Sequence, residues 1–76
     1  MITVKLFGLL RLDSGIREKQ LEAKTVKEVL DALEDCGIPR RDLESCVILV
    51  DRKSANKRSK LQEGAAVVLM SSVAGG

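Results

Sequence analysis

The sequence predicts an α+β fold in which a mixed β-sheet carries one main helix packed on one face and ends in a flexible tail. Apolar residues alternate with polar ones near the start of the chain, as in a half-buried strand, and repeat with helical spacing once, in the middle. The chain finishes in Gly75-Gly76, a pair that packs nothing. A sheet with a single helix has a covered face and an open face, and the open face is available to a partner.

Composition narrows the range of functions. At 76 residues the chain is expected to form one domain, residues 1–76, from which residues 72–76 protrude as a tail. A net charge of +2 does not indicate a nucleic-acid partner, and the single aromatic residue, Phe7, excludes a surface for stacking bases. No run of ~20 apolar residues and no signal peptide occurs, so we expect a cytoplasmic protein without a membrane partner. Cys36 and Cys46 lack metal-ligand spacing and histidine is absent, so we expect no metal site.

The first two elements are predicted to be strands joined as a hairpin. Residues Ile2 to Leu10 begin with alternation, which places Val4 on one face and Phe7 on the other. The sequence Asp13-Ser14-Gly15 supplies turn residues. Residues Ile16 to Glu22 then return as a second strand, whose charges suit an exposed edge.

The main helix is predicted at Val26 to Cys36. Thr25 takes the N-cap position, and Glu28 three residues later completes a capping box. Gly37 is placed for a left-handed cap, and Pro39 prevents continuation. The apolar positions repeat at i, i+3, i+4 and i+7 and form one stripe: Val26, Val29, Leu30 and Leu33.

The second half of the chain predicts short elements before a final strand. Arg40 to Glu44 is a polar connection with room for one helical turn. Ser45 to Val50 contains a continuous apolar run, which predicts a strand buried on both faces. Asp51 to Lys60 is polar and basic, and predicts a turn with at most a short strand. Leu61 to Gly64 reads as a tight turn, and Ala65 to Ser71 as the last strand.

The tail offers a carboxylate on a thin arm. Six extended residues, Ser71 to Gly76, reach roughly 20 Å at ~3.3–3.6 Å per residue. Because Gly75 and Gly76 lack a Cβ, the end of the chain can enter a channel barely wider than a backbone. Neither G-x-x-x-x-G-K-[ST] nor G-x-G-x-x-G occurs, so we expect the chain to be a substrate and carrier rather than an ATP-binding catalyst.

Several of these features occur together in a known family. They are the opening strand with Phe7, Arg11 and Gly15 in the first turn, Leu61-x-x-Gly64 before the last strand, and the ending Val73-Ala74-Gly75-Gly76. The whole chain resembles the ubiquitin-like β-grasp sulfur carriers, most closely the small subunits of molybdopterin synthases, relatives of the thiamine-pathway sulfur carrier. The resemblance implies that the first and last strands lie parallel at the centre of the sheet. The chain departs from the family at Ser71-Ser72, where family members commonly have prolines.

The resemblance also implies a chemistry centred on Gly76. An E1-like adenylating enzyme that uses ATP would activate the Gly76 carboxylate, and a sulfur source would convert it to a thiocarboxylate. The large subunit of molybdopterin synthase, or another sulfur-accepting enzyme, would then receive the sulfur in molybdenum cofactor biosynthesis. No cofactor is expected to be bound to the chain itself. Val73, Ala74 and Gly75 would be the tail residues that enter the partner's channel. The partner would also contact the folded domain at Phe7, Val68, Met70 and Arg11.

Other functions stay open at this point. The same chemistry serves a carrier for thiamine thiazole or another pathway, and a ubiquitin-like modifier joined to lysines through Gly76. A different class is a non-catalytic β-grasp interaction module with an inert tail. At single positions, core packing competes with partner binding for Val68 and Met70, and an ordinary solvated arginine competes with a partner contact for Arg11.

Overall fold

The computed structural model describes residues 1–71, and the predicted tail, residues 72–76, lies outside the described residues. The described part consists of β1 (Ile2–Phe7), α1 (Leu9–Ser14), β2 (Glu18–Leu21), α2 (Val26–Asp35), α3 (Arg40–Glu44), β3 (Val47–Val50), β4 (Lys53–Ser54) and β5 (Ala66–Met70). The strands form one sheet in the order β2-β1-β5-β3-β4. No helix within residues 1–71 has the length and apolar character that a membrane crossing requires.

The two central strands are the first and the last of the chain. Strand β1 pairs with β5 in parallel, from Thr3 beside Ala66 to Phe7 beside Met70. Strands β2 and β3 flank this pair, and both run antiparallel to their central neighbour. The mixed sheet and its central parallel pair are therefore confirmed. The core side chains of the central strands are fully buried, as Val4 and Val67 show.

Helix α2 covers one face of the sheet and is confirmed, one residue shorter than predicted. Its predicted stripe is fully buried: Val26, Val29, Leu30 and Leu33. Thr25 caps the helix, since its Oγ1 accepts the Glu28 N–H at 3.3 Å. The return bond of the capping box differs from the expectation, because the Glu28 carboxylate accepts the N–H of Lys24 at 2.7 Å. At the other end, the N–H of Ile38 donates to the carbonyl of Leu33 at 3.2 Å, as in a Schellman motif.

The prediction that the first strand continues to Leu10 and turns at residues 13–15 was wrong. Strand β1 ends at Phe7, Gly8 adopts a positive φ of 70°, and α1 follows. The helix turns Leu10 into the core, where it is 4% exposed, so the break in alternation at this position has a packing reason. Strand β2 begins later than predicted, at Glu18, because Ile16 packs against the core beside the helix.

The prediction that the third strand is buried on both faces was also wrong. Strand β3 is only half-buried, and Val47 at its start is 46% exposed. Ile48 and Val50 pack against the core, whereas the alternate residues face the other side of the sheet. Among residues 1–71, the buried residues of the helices all pack into one core, on the sheet face that α2 covers. The opposite face of the sheet therefore stays open.

The turn between β3 and β4 consists of two residues with positive φ, Asp51 at 50° and Arg52 at 74°. Such a two-residue hairpin usually contains Asn or Gly, because other side chains are strained there. Two hydrogen bonds to β5 offset the strain: the Asp51 N–H donates to the Ala66 carbonyl at 2.8 Å, and the Asp51 carboxylate accepts the Ala66 N–H at 3.0 Å. The predicted turn and short strand in this segment are confirmed.

Candidate functional site at the end of the central strands

The candidate site is built around Ser71, the residue that follows β5 and from which the tail continues. We call Ser71 the tail root. Its N–H donates to the carbonyl of Phe7 at 3.5 Å, and its Oγ accepts the N–H of Leu9 at 2.7 Å. The first bond ties the tail root to the end of β1, and the second ties it to the start of α1. The predicted tail residues, Val73, Ala74, Gly75 and Gly76, lie outside the described residues.

The hydroxyl of Ser71 also caps α1. The residue before this helix is Gly8, which has no side chain to accept a helical N–H. Ser71 supplies the acceptor instead, from a position 62 residues away in the sequence. A Cβ on Gly8 would collide with the Ser71 Oγ, and φ at this position is positive. Glycine is therefore required where the chain passes the tail root.

Three of the predicted partner-binding residues lie together on the open face of the sheet. Phe7 on β1 is paired in register with Met70 on β5. Val68 lies two residues before Met70 on β5, on the same face, and is paired with Lys5. Phe7 is 40% exposed and Met70 38% exposed, whereas Val68 is half-buried. The fully buried side of the same strand belongs to its neighbours Val67 and Leu69. Core packing is therefore not the explanation for Met70 and Val68.

The sequence reasoning missed two further members of this surface. Val47 pairs with Met70 and Leu49 pairs with Val68, so both extend the apolar surface onto β3. The available signal was the period of two within the strand, which the continuous apolar run of β3 concealed. We call this surface the open-face patch: Phe7, Val47, Leu49, Val68 and Met70.

Arg11, the fourth predicted partner-binding residue, does not lie on the open face. It belongs to α1, where it is half-buried, and its carbonyl accepts the N–H of Gly15 at 2.9 Å. The same helix carries two exposed leucines that the sequence reasoning did not single out, Leu9 at 55% and Leu12 at 75% exposure. Helix α1 packs beside β1 and β5, and its first residue, Leu9, contacts the tail root.

Charged side chains border the site. A groove of about 130 Å³ beside the tail root carries the carboxylates of Asp13 and Asp42. On the open face, Lys5 lies beside Val68, and its antiparallel neighbour is Glu18. The apolar surface therefore has a charged rim, which is the usual anatomy of a protein-binding surface.

The two cysteines differ from each other and from a reactive thiol pair. Burial raises the pKa of the Cys46 thiol to about 11, and its Sγ donates to the carbonyl of Leu43 at 2.9 Å. Since that thiol stays protonated near neutral pH, Cys46 is not poised as a nucleophile. Cys36 is exposed at the end of α2. Among residues 1–71, no group of three His, Cys, Asp or Glu side chains is arranged to hold a metal ion.

Several solved structures share this fold. A chain of the BexX/CysO complex from Amycolatopsis orientalis superposes with a TM-score of 0.80 at 21% identity, covering 100% of this chain and 100% of that chain. SAMP1, the small archaeal modifier protein 1 of Haloferax volcanii, gives 0.76 at 23% identity, covering 99% and 98%. The complex of subunits 1 and 2 of the molybdopterin-converting factor from Helicobacter pylori gives 0.74 at 22% identity, covering 99% and 97%. Two of these three structures are complexes with a protein partner.

No curated protein sequence matches the chain significantly. These structural likenesses, at the identities given, show the ubiquitin-like β-grasp fold. The model of the ThiS family, in contrast, matches residues 4–76, which includes nearly the whole chain and its Gly-Gly end. The chain therefore belongs to the ThiS family of ubiquitin-like sulfur carriers.

Proposed function

We propose that this chain is the small subunit of a molybdopterin synthase, a carrier whose Gly76 receives sulfur and donates it in molybdopterin biosynthesis. One observation carries the proposal. The family match extends to residue 76, and the root of that same tail is hydrogen-bonded at the end of the two central strands. A reactive terminus attached to the centre of the sheet can be presented to an enzyme from a fixed position.

The chemistry begins with a carboxylate, which is a poor acyl donor. Attack of the Gly76 carboxylate on the α-phosphorus of ATP forms an acyl adenylate and releases pyrophosphate. Sulfide then adds to the acyl carbon and displaces AMP, which leaves a thiocarboxylate. If the sulfur arrives as a persulfide, its terminal sulfur forms an acyl disulfide, and a thiol cleaves the sulfur–sulfur bond to release the same thiocarboxylate and a disulfide. The adenylating partner binds the ATP and catalyses these steps.

The tail sets the distance between the folded domain and the chemistry. Because Ser71 is bound to β1 and α1, only residues 72–76 extend beyond the tail root. Five extended residues reach about 17 Å at ~3.3–3.6 Å each. Gly75 and Gly76 add no side chain, and Ala74 and Val73 add small ones, so the tail fits a narrow channel that excludes water from the thiocarboxylate.

The open-face patch is the surface that binds the partner. Its central pair, Phe7 with Met70, is exposed and lies directly beside the tail root. Phe and Met are both enriched in protein–protein interfaces. The two partners proposed are the adenylating enzyme and the large synthase subunit, which use this surface in turn. Arg11 lies on α1, the helix that Ser71 caps, and contributes a positive charge to that helix. We propose that all of these steps take place in the cytoplasm.

A second candidate within the same chemistry is favoured by the other structural likenesses. A chain of the BexX/CysO complex and the small archaeal modifier protein SAMP1 share the fold as closely as the molybdopterin-converting factor does. The Gly76 thiocarboxylate would then supply another product, such as a thiazole, or the Gly76 adenylate would acylate a lysine with loss of AMP.

Intact-mass spectrometry separates these functions. The chain is incubated with ATP, the adenylating enzyme encoded in the same genome and a sulfide source. Replacement of one terminal oxygen by sulfur supports the carrier, and subsequent loss of that sulfur to the large synthase subunit with its pterin substrate supports the molybdopterin assignment. Higher-mass lysine conjugates support the modifier. An unchanged mass with active enzyme would contradict both and leave an inert interaction module.

A further inference from the structure

Exposed apolar side chains are concentrated at one end of the molecule. Residues 1–71 expose six large apolar side chains, and five of them surround the tail root, whereas the sixth, Met1, lies at the opposite end of β1. The five are Phe7, Leu9, Leu12, Val47 and Met70. Three belong to the open-face patch, but Leu9 and Leu12 lie on α1 and have no role in the function proposed above.

The two leucines form a separate apolar strip, which we call the α1 ridge. They are spaced i, i+3 and therefore lie on the same side of the helix. The core does not require them, because Leu10 supplies the buried contact of α1 at 4% exposure. Leu12 is 75% exposed, the highest value among the large apolar residues of the described chain. Two leucines left in water beside the functional terminus need a reason other than packing.

We infer that the α1 ridge and the open-face patch form one docking surface on two sides of the tail root. Its occupant is the adenylating enzyme, which contacts the ridge with apolar side chains at the mouth of the channel that receives the tail. This inference rests on the proposed carrier function.

The length of the tail supports this choice of occupant. An enzyme that activates Gly76 must bring its reacting groups within about 17 Å of Ser71, the reach of five residues. The ridge begins at Leu9, whose N–H is bonded to the tail root at 2.7 Å, and α1 is only about 9 Å long at ~1.5 Å per residue. The whole ridge therefore lies within the distance that the enzyme must approach.

The capping bond keeps the surface in one geometry. Ser71 Oγ holds the first N–H of α1, so the helix and the tail root keep a fixed relative position. A preformed surface loses less conformational entropy on binding than one that must be ordered first. The ridge thus guides the tail toward the channel without an ordering step of its own.

The test uses substitutions that change polarity at nearly constant size. Leu12→Gln and Leu9→Gln remove the apolar contact, and Leu12→Met and Leu9→Met retain it, while leucine, glutamine and methionine are all good helix formers. Activation is followed as ATP–pyrophosphate exchange by the purified adenylating enzyme of the same genome, with the concentration of the chain varied. We expect each Gln variant to raise the half-saturating concentration about tenfold, with the maximal exchange rate and the thermal midpoint unchanged. The Met variants should match the parent.

Each other outcome is decisive. Gln variants that match the parent would overturn the ridge while leaving the carrier function intact, since the parent itself supports exchange. If the ridge instead mediates pairing of two copies of this chain, sedimentation would show a dimer that Leu12→Gln dissociates, with exchange unaffected, and the inference would be wrong. A parent chain that supports no exchange would contradict the proposed function, and the inference with it.

Discussion

The two ends of the central strand pair differ in the side chains they expose and in the interactions those side chains make. At the far end, where β1 and β5 begin, the N-terminal ammonium forms ion pairs with Glu63 and with Glu22, the latter at 3.7 Å. The Gly64 N–H donates to the Met1 carbonyl at 3.2 Å. The tail end holds five of the six large apolar side chains that residues 1–71 expose, and from there the sequence continues to Gly76.

The far end also satisfies the start of the main helix. The Val26 N–H donates to the Ser59 carbonyl at 3.0 Å, and the Lys27 N–H donates to the Lys57 carbonyl at 3.1 Å. The segment before β5 therefore supplies acceptors for N–H groups that a helix leaves unpaired. The comparison teaches that the described domain closes one end with hydrogen bonds and charges and exposes five of its six large apolar side chains at the other, where we propose that a partner binds.

A substitution in the hydrophobic core, which lies between the two ends, should have the largest effect on stability. Leu30→Ala removes a side chain of α2 that is 1% exposed, and we expect a loss of ~2–5 kcal/mol in the free energy of unfolding. Denaturant unfolding measures this loss. The fraction that remains folded should still accept sulfur at the normal rate, because the substitution touches neither end. An unfolding midpoint equal to that of the parent would contradict the packing described for α2.

Gly8→Ala should separate the tail end from the far end. The new Cβ collides with Ser71 Oγ, and alanine is strained at the positive φ of 70° that this position requires, so we expect a loss of ~1–3 kcal/mol in stability together with slower sulfur transfer. Gly64→Ala is the matched control, because its φ of 85° is similar but no atom lies within 4 Å of the added Cβ. The control should lose stability and retain the transfer rate per folded molecule. Equal transfer by both variants would show that the geometry of the tail root is unimportant.

The elements of the fold differ in how well the sequence alone predicted them. Helix α2 and the two central strands were predictable because their signals lie in consecutive residues. Helix α1 was not, since its first N–H is capped by Ser71, 62 positions away, and no local cap precedes it. The half-burial of β3 was hidden for a similar reason: a run of four apolar residues does not reveal whether one face or two are covered.

The candidate site divides in the same way. Alternation in β1 placed Phe7 on the open face, and alternation in the last strand placed Val68 and Met70 together on one face. The contribution of Val47 depends on the register of β3 against β5, which is a tertiary feature. Leu9 and Leu12 could not be placed beside the tail root while α1 itself was unrecognised.

Phe7→Ala tests the apolar tail end by affinity rather than by fold. Phe7 is 40% exposed, so its removal should change the free energy of unfolding little. We expect binding to the adenylating enzyme to weaken by more than about 1 kcal/mol if the side chain is a hot spot. Calorimetric titration measures the affinity, and Phe7→Leu should lose less because it keeps apolar contact. Unchanged affinity in Phe7→Ala would place the interface elsewhere.

Glu63→Gln tests the far end and should have the smallest effect. Its carboxylate is 81% exposed, and an ion pair in that position contributes at most about 1 kcal/mol. We expect a slight fall in the thermal midpoint that disappears at high salt, with partner affinity and sulfur transfer equal to those of the parent. A clear loss of transfer in Glu63→Gln would mean that the far end is functional too, and the contrast between the ends would fail.

The most direct test of the carrier is the length of its tail. Deleting Gly76, or adding one glycine after it, moves the terminus by ~3.3–3.6 Å, which is as large as the ~3–3.5 Å separation of reacting atoms. Sulfur acceptance and transfer should therefore collapse in both variants, while the unfolding midpoint stays at the parental value and partner affinity falls only modestly. Sulfur transfer, the unfolding midpoint and partner affinity are all measured on the same protein samples. Full transfer by the chain that lacks Gly76 would contradict the account.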